Sequence, residues 1–327
     1  MLISRHTWLR PLALLLGVAL IGSGVKTAAA QGIVPGTGQK WDVSDDFEDE
    51  NWSFDLQLPK SSKNIDGEVR GPSGTSNNNR ILESTYRGTP DVMKRVPTPP
   101  GGIPGSNGAL LMQSRDTGIP GRPSGIMQQD DVIVNVKGMI AGQIQTAWNP
   151  SVVTRVYLPP FDEWEERTGS HFGFRIECSG WGKGKVEKKV GLFRNKRTVE
   201  SFERKYENYW PGFFIQFNRK EDIGAEKDSA VLLIRGDING HEITGPAMEP
   251  GWWTLGMSVT GDGYVHYYAR PGVENLRRED YLTSQQPYGS KADYLNTFFF
   301  NIVNLDDGRT WSTKWIIDDP ELYVLRR

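Results

Sequence analysis

The chain has 327 residues, in which 38 lysines and arginines nearly balance 40 aspartates and glutamates. Only 37% of the residues are hydrophobic, which excludes a membrane protein built from several spanning helices. The net charge of -2 excludes the strongly basic composition of a dedicated nucleic-acid binder. A single cysteine excludes an intramolecular disulfide and a thiolate zinc site.

The first 30 residues have the pattern of a secretory signal peptide. Arg5 and Arg10 precede an apolar run over residues 12–21, and three alanines at 28–30 precede Gln31, where cleavage is expected. The apolar run is about half the ~20 residues that a transmembrane helix needs. The sequence therefore predicts a secreted or periplasmic protein without a membrane span after signal removal. The mature chain then carries 35 basic and 40 acidic residues, because Arg5, Arg10 and Lys26 are lost.

Period-2 patterning dominates the rest of the chain. Eight short runs are rich in β-branched or aromatic residues and are separated by Gly, Pro, Asn or Asp; they are residues 152–158, 172–178, 213–217, 231–235, 253–259, 264–269, 298–305 and 315–325. No segment longer than about twelve residues keeps a clean helical period. The pattern predicts one all-β sandwich domain over residues 31–327. Within it, Cys178 is interpreted as a small buried apolar residue.

Three local features stand out. The sequence Gly261-Asp262-Gly263 predicts a hairpin turn between two of the strands. Residues 71–108 are crowded with Gly, Pro and Asn and are interpreted as loops around one short strand near residues 81–86. Residues 181–210 are interpreted as a basic insertion, because residues 183–207 carry nine lysines and arginines against four glutamates. The insertion is either a solvated connection or a rim that attracts an anionic polymer.

Both ends of the mature chain resemble a known superfamily. Asp45-Asp46-Phe47-Glu48 stands near the start, residues 315–324 form an aromatic and aliphatic strand near the end, and residues 250–269 look like the paired strands of a laminin-G-like module. The whole resembles the concanavalin A-like lectin/glucanase superfamily, whose fold is a jelly-roll sandwich of two antiparallel sheets. The resemblance implies adjacent first and last strands and a structural calcium near them, with Asp46 and Asp318 as candidate oxygen ligands. The alternative is that these acids are solvated edge charges. No other cofactor is expected.

The catalytic motifs of this superfamily are incomplete. The Glu-x-Asp-x-x-Glu strand of its retaining glucanases is missing, and the nearest acidic clusters are residues 48–50 and 162–166. Residues 80–87 and 143–145 faintly resemble the Arg/Glu/Arg and Gln-Ile-His strands of alginate lyases. The arginine spacing differs, however, and Gln145 replaces the histidine. A hydrolase and a lyase both stay open as alternatives.

Strand parity gives an interpretation that is independent of any family. Alternate residues of four predicted strands share a face that carries arginine, tyrosine, histidine or amide groups. Sugar-binding surfaces use this mixture, because aromatic rings present an apolar face to the sugar and arginine donates paired hydrogen bonds to carboxylate or sulfate. The candidate ligand-binding residues are Arg155, Tyr157, His171, Arg175, Glu177, Gln216, Tyr264, His266, Tyr268 and Arg270. The competing interpretation is the ordinary solvent face of a sandwich.

These observations predict an exported protein that binds or processes an extracellular, anionic polysaccharide on its concave sheet. An enzyme would use Tyr264 or His266 for proton transfer, and Arg175 or Arg155 to hold the substrate anion. A structural cell-envelope protein without a sugar ligand is the remaining alternative. No nucleic-acid partner is expected.

Overall fold

The computed structural model describes the backbone of residues 32–190 and 197–326. It describes the side chains of these residues except those of 183–203. The predicted signal peptide, residues 1–30, lies outside these ranges. The strands, in chain order, are β1 (Gln39–Trp41), β2 (Phe54–Asp55), β3 (Thr75–Ser76), β4 (Ile81–Glu83), β5 (Val92–Val96), β6 (Ala109–Gln113), β7 (Gln128–Val134), β8 (Ile144–Gln145), β9 (Pro150–Leu158), β10 (Gly169–Val190), β11 (Arg197–Tyr209), β12 (Gly212–Asn218), β13 (Ser229–Arg235), β14 (Glu242–Met248), β15 (Gly251–Val259), β16 (Val265–Pro271), β17 (Tyr281–Gln285), β18 (Lys291–Asn304) and β19 (Trp315–Val324). Helical segments are short, at α1 (Lys63–Asp66), α2 (Val136–Ile140) and α3 (Lys220–Ile223).

The strands form two antiparallel sheets. The back sheet has the order β17-β16-β15-β9-β19-β6-β5, with β1 paired to β19. The front sheet has the order β14-β13-β12-β10-β18-β7-β4-β3-β2, with β11 paired to β10 and β8 paired to β18. Several neighbouring strands are distant in sequence, such as β9 beside β19. Strand β1 lies beside β19, as the resemblance implied. The predicted all-β jelly-roll sandwich is confirmed.

The core fills the space between the two sheets with aromatic side chains. Phe172 of the front sheet packs against Trp315 of the back sheet, with 4.9 Å between the ring centroids. Phe213 and Tyr267 make a second contact across the sandwich at 5.4 Å. Cys178 is fully buried in this core, as predicted, and burial raises the pKa of its thiol. These contacts show which strand faces point inward and therefore which point away from the core.

The outer face of the back sheet is covered by the chain itself. Residues 32–38, here called the strap, lie across it: the Tyr268 hydroxyl donates to the Gly32 carbonyl at 3.2 Å, and the Gly36 N–H donates to Ser151 Oγ at 3.3 Å. A side chain on Gly256 would overlap the strap, since its Cβ would lie 2.8 Å from Pro35. The strap therefore closes this face to a large ligand.

The basic insertion is a β-ribbon. Strand β10 leaves the sheet and pairs with β11 from Cys178 opposite Tyr209 to Val190 opposite Arg197. Only the first part of the ribbon is also held by β18, ending at the pair of Trp181 with Lys291. The loop region 71–108 likewise contains more structure than predicted, because β3 and β5 accompany the expected β4. Among the residues that the structure describes, no helix is long and apolar enough to cross a bilayer.

Candidate functional site

An open cavity lies on the outer face of the front sheet. Its volume is about 460 Å³, and strands β4, β7, β10 and β18 form its floor. The sheet positions these side chains by alternation, because residues between the inward-facing phenylalanines of β10 and β18 must point outward. Arg175, Glu177, Thr297 and Phe299 reach the cavity in this way.

Arg175 is the most deeply placed of the cavity residues. Only 8% of its surface is exposed, and its guanidinium lies 5.4 Å from the ring centroid of Phe214 and 5.5 Å from that of Phe299. Its Nε donates to the carbonyl of Trp210 at 3.0 Å. Burial lowers the pKa of Arg175 to about 10, and the positive charges of Arg235 and Arg87 act in the same direction. The group nevertheless stays charged at neutral pH.

Arg87 and Arg235 complete a cluster of three guanidinium groups around the cavity. Within residues 32–190 and 197–326, no ion pair involves Arg87, Arg175 or Arg235. Three neighbouring cations that form no direct ion pair favour an anionic ligand, since guanidinium groups bind carboxylate and sulfate through paired N–H donors.

The acids of the cavity are occupied by other donors. Asp131 Oδ1 accepts from the side-chain amides of Asn301 at 2.6 Å and Gln129 at 2.8 Å, and burial raises the pKa of this carboxyl. The two carboxylate oxygens of Glu83 accept from the backbone N–H groups of Ser61 and Gly74. These carboxylates therefore organise the walls of the cavity. The charges of Arg87 and Arg175 act on Asp131 without forming a direct ion pair with it.

Glu177 holds an aromatic wall in place. Its Oε2 accepts from Trp210 Nε1 at 3.3 Å, and its Oε1 accepts from Asn296 Nδ2 at 3.0 Å. Trp210 is 38% exposed and Tyr86, also on the cavity, is 50% exposed. Exposed rings beside cations suit a sugar, which offers an apolar face and charged or hydroxyl edges.

The structure divides the ten sequence-predicted residues between separate surfaces. Arg175 and Glu177 lie in the cavity. Gln216 lies on the same sheet, opposite Ser170, and its amide donates to Asn218 at 2.8 Å. The others do not share this surface. The expectation of one common ligand-binding face is therefore wrong.

Six of the ten lie on the outer side of the back sheet. Arg155 is buried there, and it donates to Glu321 at 2.7 Å and Asn275 at 2.9 Å. Tyr157 packs against Trp252 with 5.4 Å between the ring centroids. The parity prediction for these strands is confirmed, but the strap and residues 273–276 lie on that face. The remaining members are His266, Tyr268 and Arg270 on β16, and Tyr264, which directly precedes β16.

His171 does not follow the predicted alternation. The register between β10 and β12 shifts at residues 170–172, which marks a β-bulge. The His171 ring is consequently buried against Trp164, 5.3 Å between centroids, and Nδ1 lies 2.9 Å from Thr313 Oγ1. Burial lowers the pKa of His171 to about 3. The ring is a neutral packing residue, and its assignment to the polar face is corrected.

The fold separates the predicted catalytic residues Tyr264 and His266 from Arg175, but not from Arg155, which lies on the same sheet. Tyr264 and His266 belong to the hairpin of the back sheet, whereas Arg175 lies on the outer side of the front sheet. His266 Nε2 lies 2.9 Å from Thr260 Oγ1, Nδ1 contacts Ser284 Oγ, and burial lowers the pKa of the ring. These residues cannot act on one substrate together with Arg175.

The candidate calcium ligands occupy different environments. Asp318 Oδ2 accepts from Ser106 Oγ at 2.8 Å, and burial raises the pKa of this carboxyl to about 7. Asp46 Oδ1 accepts from the N–H of Glu48 at 3.2 Å and lines a small acidic cavity that also includes Asp319. Within the described ranges no group of three or more His, Cys, Asp or Glu is arranged to hold a metal ion. The calcium site stays a prediction.

Sequence reasoning missed most of the cavity residues, among them Arg87, Trp210 and Arg235. Arg235 ends a predicted strand, Trp210 precedes a Pro-Gly break, and Arg87 closes the segment that resembles an alginate-lyase strand. Each of these three residues stands at a recognisable position in the sequence, but no local pattern indicates that they meet in the fold. Their meeting depends on the order of strands in the front sheet.

Comparison with known proteins identifies only distant structural likenesses. No protein-family profile matches the chain, and no curated protein has a similar sequence. A carbohydrate esterase of the Shiga toxin-encoding bacteriophage phi24B aligns with TM-score 0.41 and 11% identity over 84% of this chain and 100% of its own. An alginate lyase from Pseudomonas aeruginosa aligns with TM-score 0.35 and 9% identity over 72% and 86% of the two chains. An endo-β-1,4-glucuronan lyase from the fungus Trichoderma reesei aligns with TM-score 0.35 and 13% identity over 71% and 86%.

Proposed function

We propose that this protein is exported and binds an anionic polysaccharide in the cavity of the front sheet. The observation that carries the proposal is the convergence of Arg87, Arg175 and Arg235 on one open cavity, where none of them forms a direct ion pair among the described residues. Export rests on the signal-peptide pattern of residues 1–30.

The charged groups of the ligand are expected to be carboxylates or sulfates along a sugar chain. Arg175 offers one guanidinium at the bottom of the cavity, and the half-buried Arg87 and Arg235 offer two more at its walls. Trp210 and Tyr86 supply the exposed rings on which sugar faces can stack. A neutral sugar would leave the three cations without counter-charge, so it is expected to bind much more weakly.

The test is a binding experiment on the purified protein. Polygalacturonate, polymannuronate, polyguluronate, polyglucuronate and chondroitin sulfate are compared with the neutral polymers xylan and laminarin by isothermal titration calorimetry. At least one anionic polymer should bind, and its affinity should fall as salt is raised, because exposed charge pairs are screened. Failure of every anionic polymer, or equal binding of the neutral ones, would overturn the proposal.

A second candidate function is cleavage of the same polymer by β-elimination. The observation that favours it is the presence of the Tyr86 phenol in the arginine-lined cavity, with Lys63 Nζ 5.1 Å from the centre of its ring. In such a step a base takes the proton beside the uronate carboxylate, the C4–O bond breaks, and a C4–C5 double bond forms while the leaving oxygen gains a proton. The unsaturated product absorbs ultraviolet light. Incubation of the bound polymer with the protein, followed at that absorbance, separates turnover from binding alone.

A further inference from the structure

The outer face of the front sheet continues beyond the cavity along the β-ribbon. Residues 175, 177, 179 and 181 alternate outward on β10, residues 204, 206 and 208 do so on β11, and Trp210 follows directly after β11. Contacts between side chains confirm the shared face: Tyr206 Oη donates to Ser179 Oγ at 3.4 Å, and Asn208 Nδ2 donates to Glu177 Oε1 at 3.3 Å. Side chains that line the cavity and those that line the ribbon therefore form one strip.

The strip ends in an exposed aromatic pair. Trp181 is 44% exposed and Tyr206 is 42% exposed, and their rings pack edge to face with 5.4 Å between centroids. The guanidinium of Arg204 lies 5.1 Å from the centre of the Trp181 ring. Aromatic rings are costly to leave in water. The pair therefore offers an exposed aromatic ring beside a guanidinium group, the same combination that lines the cavity.

Charge and spacing indicate what would cover this pair. Residues 183–207, which follow Trp181 and include Tyr206, carry nine basic and four acidic residues, so the segment has a local charge of +5 in an acidic protein. Six residues of extended strand separate Arg175 from Trp181, which is roughly 20 Å at ~3.3 Å per residue. An extended polysaccharide spans this distance with several sugar units, whereas a disaccharide does not.

We propose that Trp181, Tyr206 and Arg204 form a distal subsite for the same anionic polysaccharide, on which one sugar unit stacks while another occupies the cavity. This inference rests on the proposed function, because it requires a polysaccharide in the cavity. It adds that the protein recognises long chains, and that the β-ribbon supplies the additional contact.

The test compares short and long oligosaccharides. Disaccharides and octasaccharides of the uronate polymers used above are titrated into wild type, Trp181→Ala and Trp311→Ala. Trp311 is the matched control, since it is 39% exposed and has the Arg115 guanidinium 5.2 Å from its ring, but it lies away from the strip. Wild type should bind the octasaccharide more tightly than the disaccharide. Trp181→Ala should lose roughly three- to tenfold in octasaccharide affinity and keep its disaccharide affinity, while Trp311→Ala should match wild type.

Arg204→Glu supplies a second variant that keeps the aromatic pair. Arg204→Glu should weaken binding of the octasaccharide and leave binding of the disaccharide unchanged. This loss of octasaccharide affinity should be smaller at high salt, because salt screens the charges. If Trp181→Ala and Arg204→Glu bind the octasaccharide as tightly as wild type, or if Trp311→Ala loses as much, the distal subsite is overturned while the cavity remains supported by disaccharide binding. If wild type binds neither oligosaccharide, the proposed function itself fails.

Discussion

The side chain of Arg175 donates a hydrogen bond to the backbone of Trp210, with 3.0 Å between Nε and the carbonyl oxygen. The same tryptophan is held through its indole N–H by Glu177, which follows Arg175 by two positions on β10. One strand therefore supports both the deepest cation of the cavity and its aromatic wall. A change in Arg175 should consequently affect stability and ligand binding together.

Arg175→Lys tests this double role. Lysine keeps the charge but cannot present two fixed donors to one carbonyl or stack between two rings. We expect a loss of about 1–3 kcal/mol in the free energy of unfolding, because the partly buried Trp210 carbonyl loses part of its hydrogen bonding. Urea unfolding measures this loss. Arg277→Lys is the control, since its side chain is 62% exposed, and an equal loss in both variants would contradict the assigned role.

Arg87→Ala and Arg235→Ala test the cation cluster with less effect on folding, because both residues are half-buried and form no direct ion pair among the described residues. Each should weaken binding of the anionic polymer by about 1–2 kcal/mol, roughly five- to thirtyfold in Kd. Calorimetric titration measures the change. Arg277→Ala removes the same charge outside the cavity and should bind like wild type. A loss as large in Arg277→Ala would show that net charge alone governs binding.

The burial of His171 predicts that the stability of the protein depends on pH. Its pKa is lowered from 6.5 to about 3 in the folded protein by burial. The unfolded chain therefore binds one more proton between these values, so stability is complete above pH 6.5 and falls as the pH is lowered. From pH 7 to pH 5 the loss attributable to His171 is about 2 kcal/mol.

The measurement is urea unfolding at both pH values for wild type and His171→Gln. Other groups also titrate in this range, so the informative quantity is the difference between the two proteins in their change with pH. His171→Gln should lack about 2 kcal/mol of the decrease. His241→Gln, whose side chain is 77% exposed, should retain the wild-type pH dependence. Identical profiles for all three proteins would show that His171 is protonated equally in both states.

Replacement of Lys60, which does not line the cavity, is predicted to reduce stability strongly. Its buried Nζ lies 2.8 Å from Asp130 Oδ2, 2.9 Å from Asp91 Oδ1 and 2.7 Å from the carbonyl of Asp116. Lys60→Met leaves these acceptors without a cation, and we expect a loss of about 3–5 kcal/mol at neutral pH. Lys40→Met breaks a pair with Glu321 in which the lysine is 51% exposed, and should cost at most about 1 kcal/mol. Urea unfolding of both variants checks the comparison.

The local part of the fold could be predicted from the sequence. The hairpin at residues 261–263, the burial of Cys178 and the inward set on β15 and β16 all follow from alternation and turn residues. Alternation gives the two faces of a strand, but it does not give the sheet to which the strand belongs. For that reason alternation predicts one shared surface for Arg155 and Arg175, although they lie on opposite sides of the sandwich.

Two further features were not predictable because they depend on contacts over long sequence separations. The strap covers the back sheet through hydrogen bonds such as the one from the Tyr268 hydroxyl to the Gly32 carbonyl, which joins residues 236 positions apart. The bulge at His171 is decided by the register between β10 and β12, and nothing in the alternating sequence marks the extra residue. The cavity likewise requires Arg87, Arg175 and Arg235 to meet from three separate segments of the chain.

The buried Cys178 makes the protein convenient for site-specific labelling. It is the only cysteine of the chain, it is inaccessible, and burial raises the pKa of its thiol, so little reactive thiolate is present. A cysteine introduced at exposed Tyr281 on the back sheet would therefore react alone with a maleimide reagent. The protein could then be attached to a sensor surface in a single orientation, with its open cavity directed toward the solution.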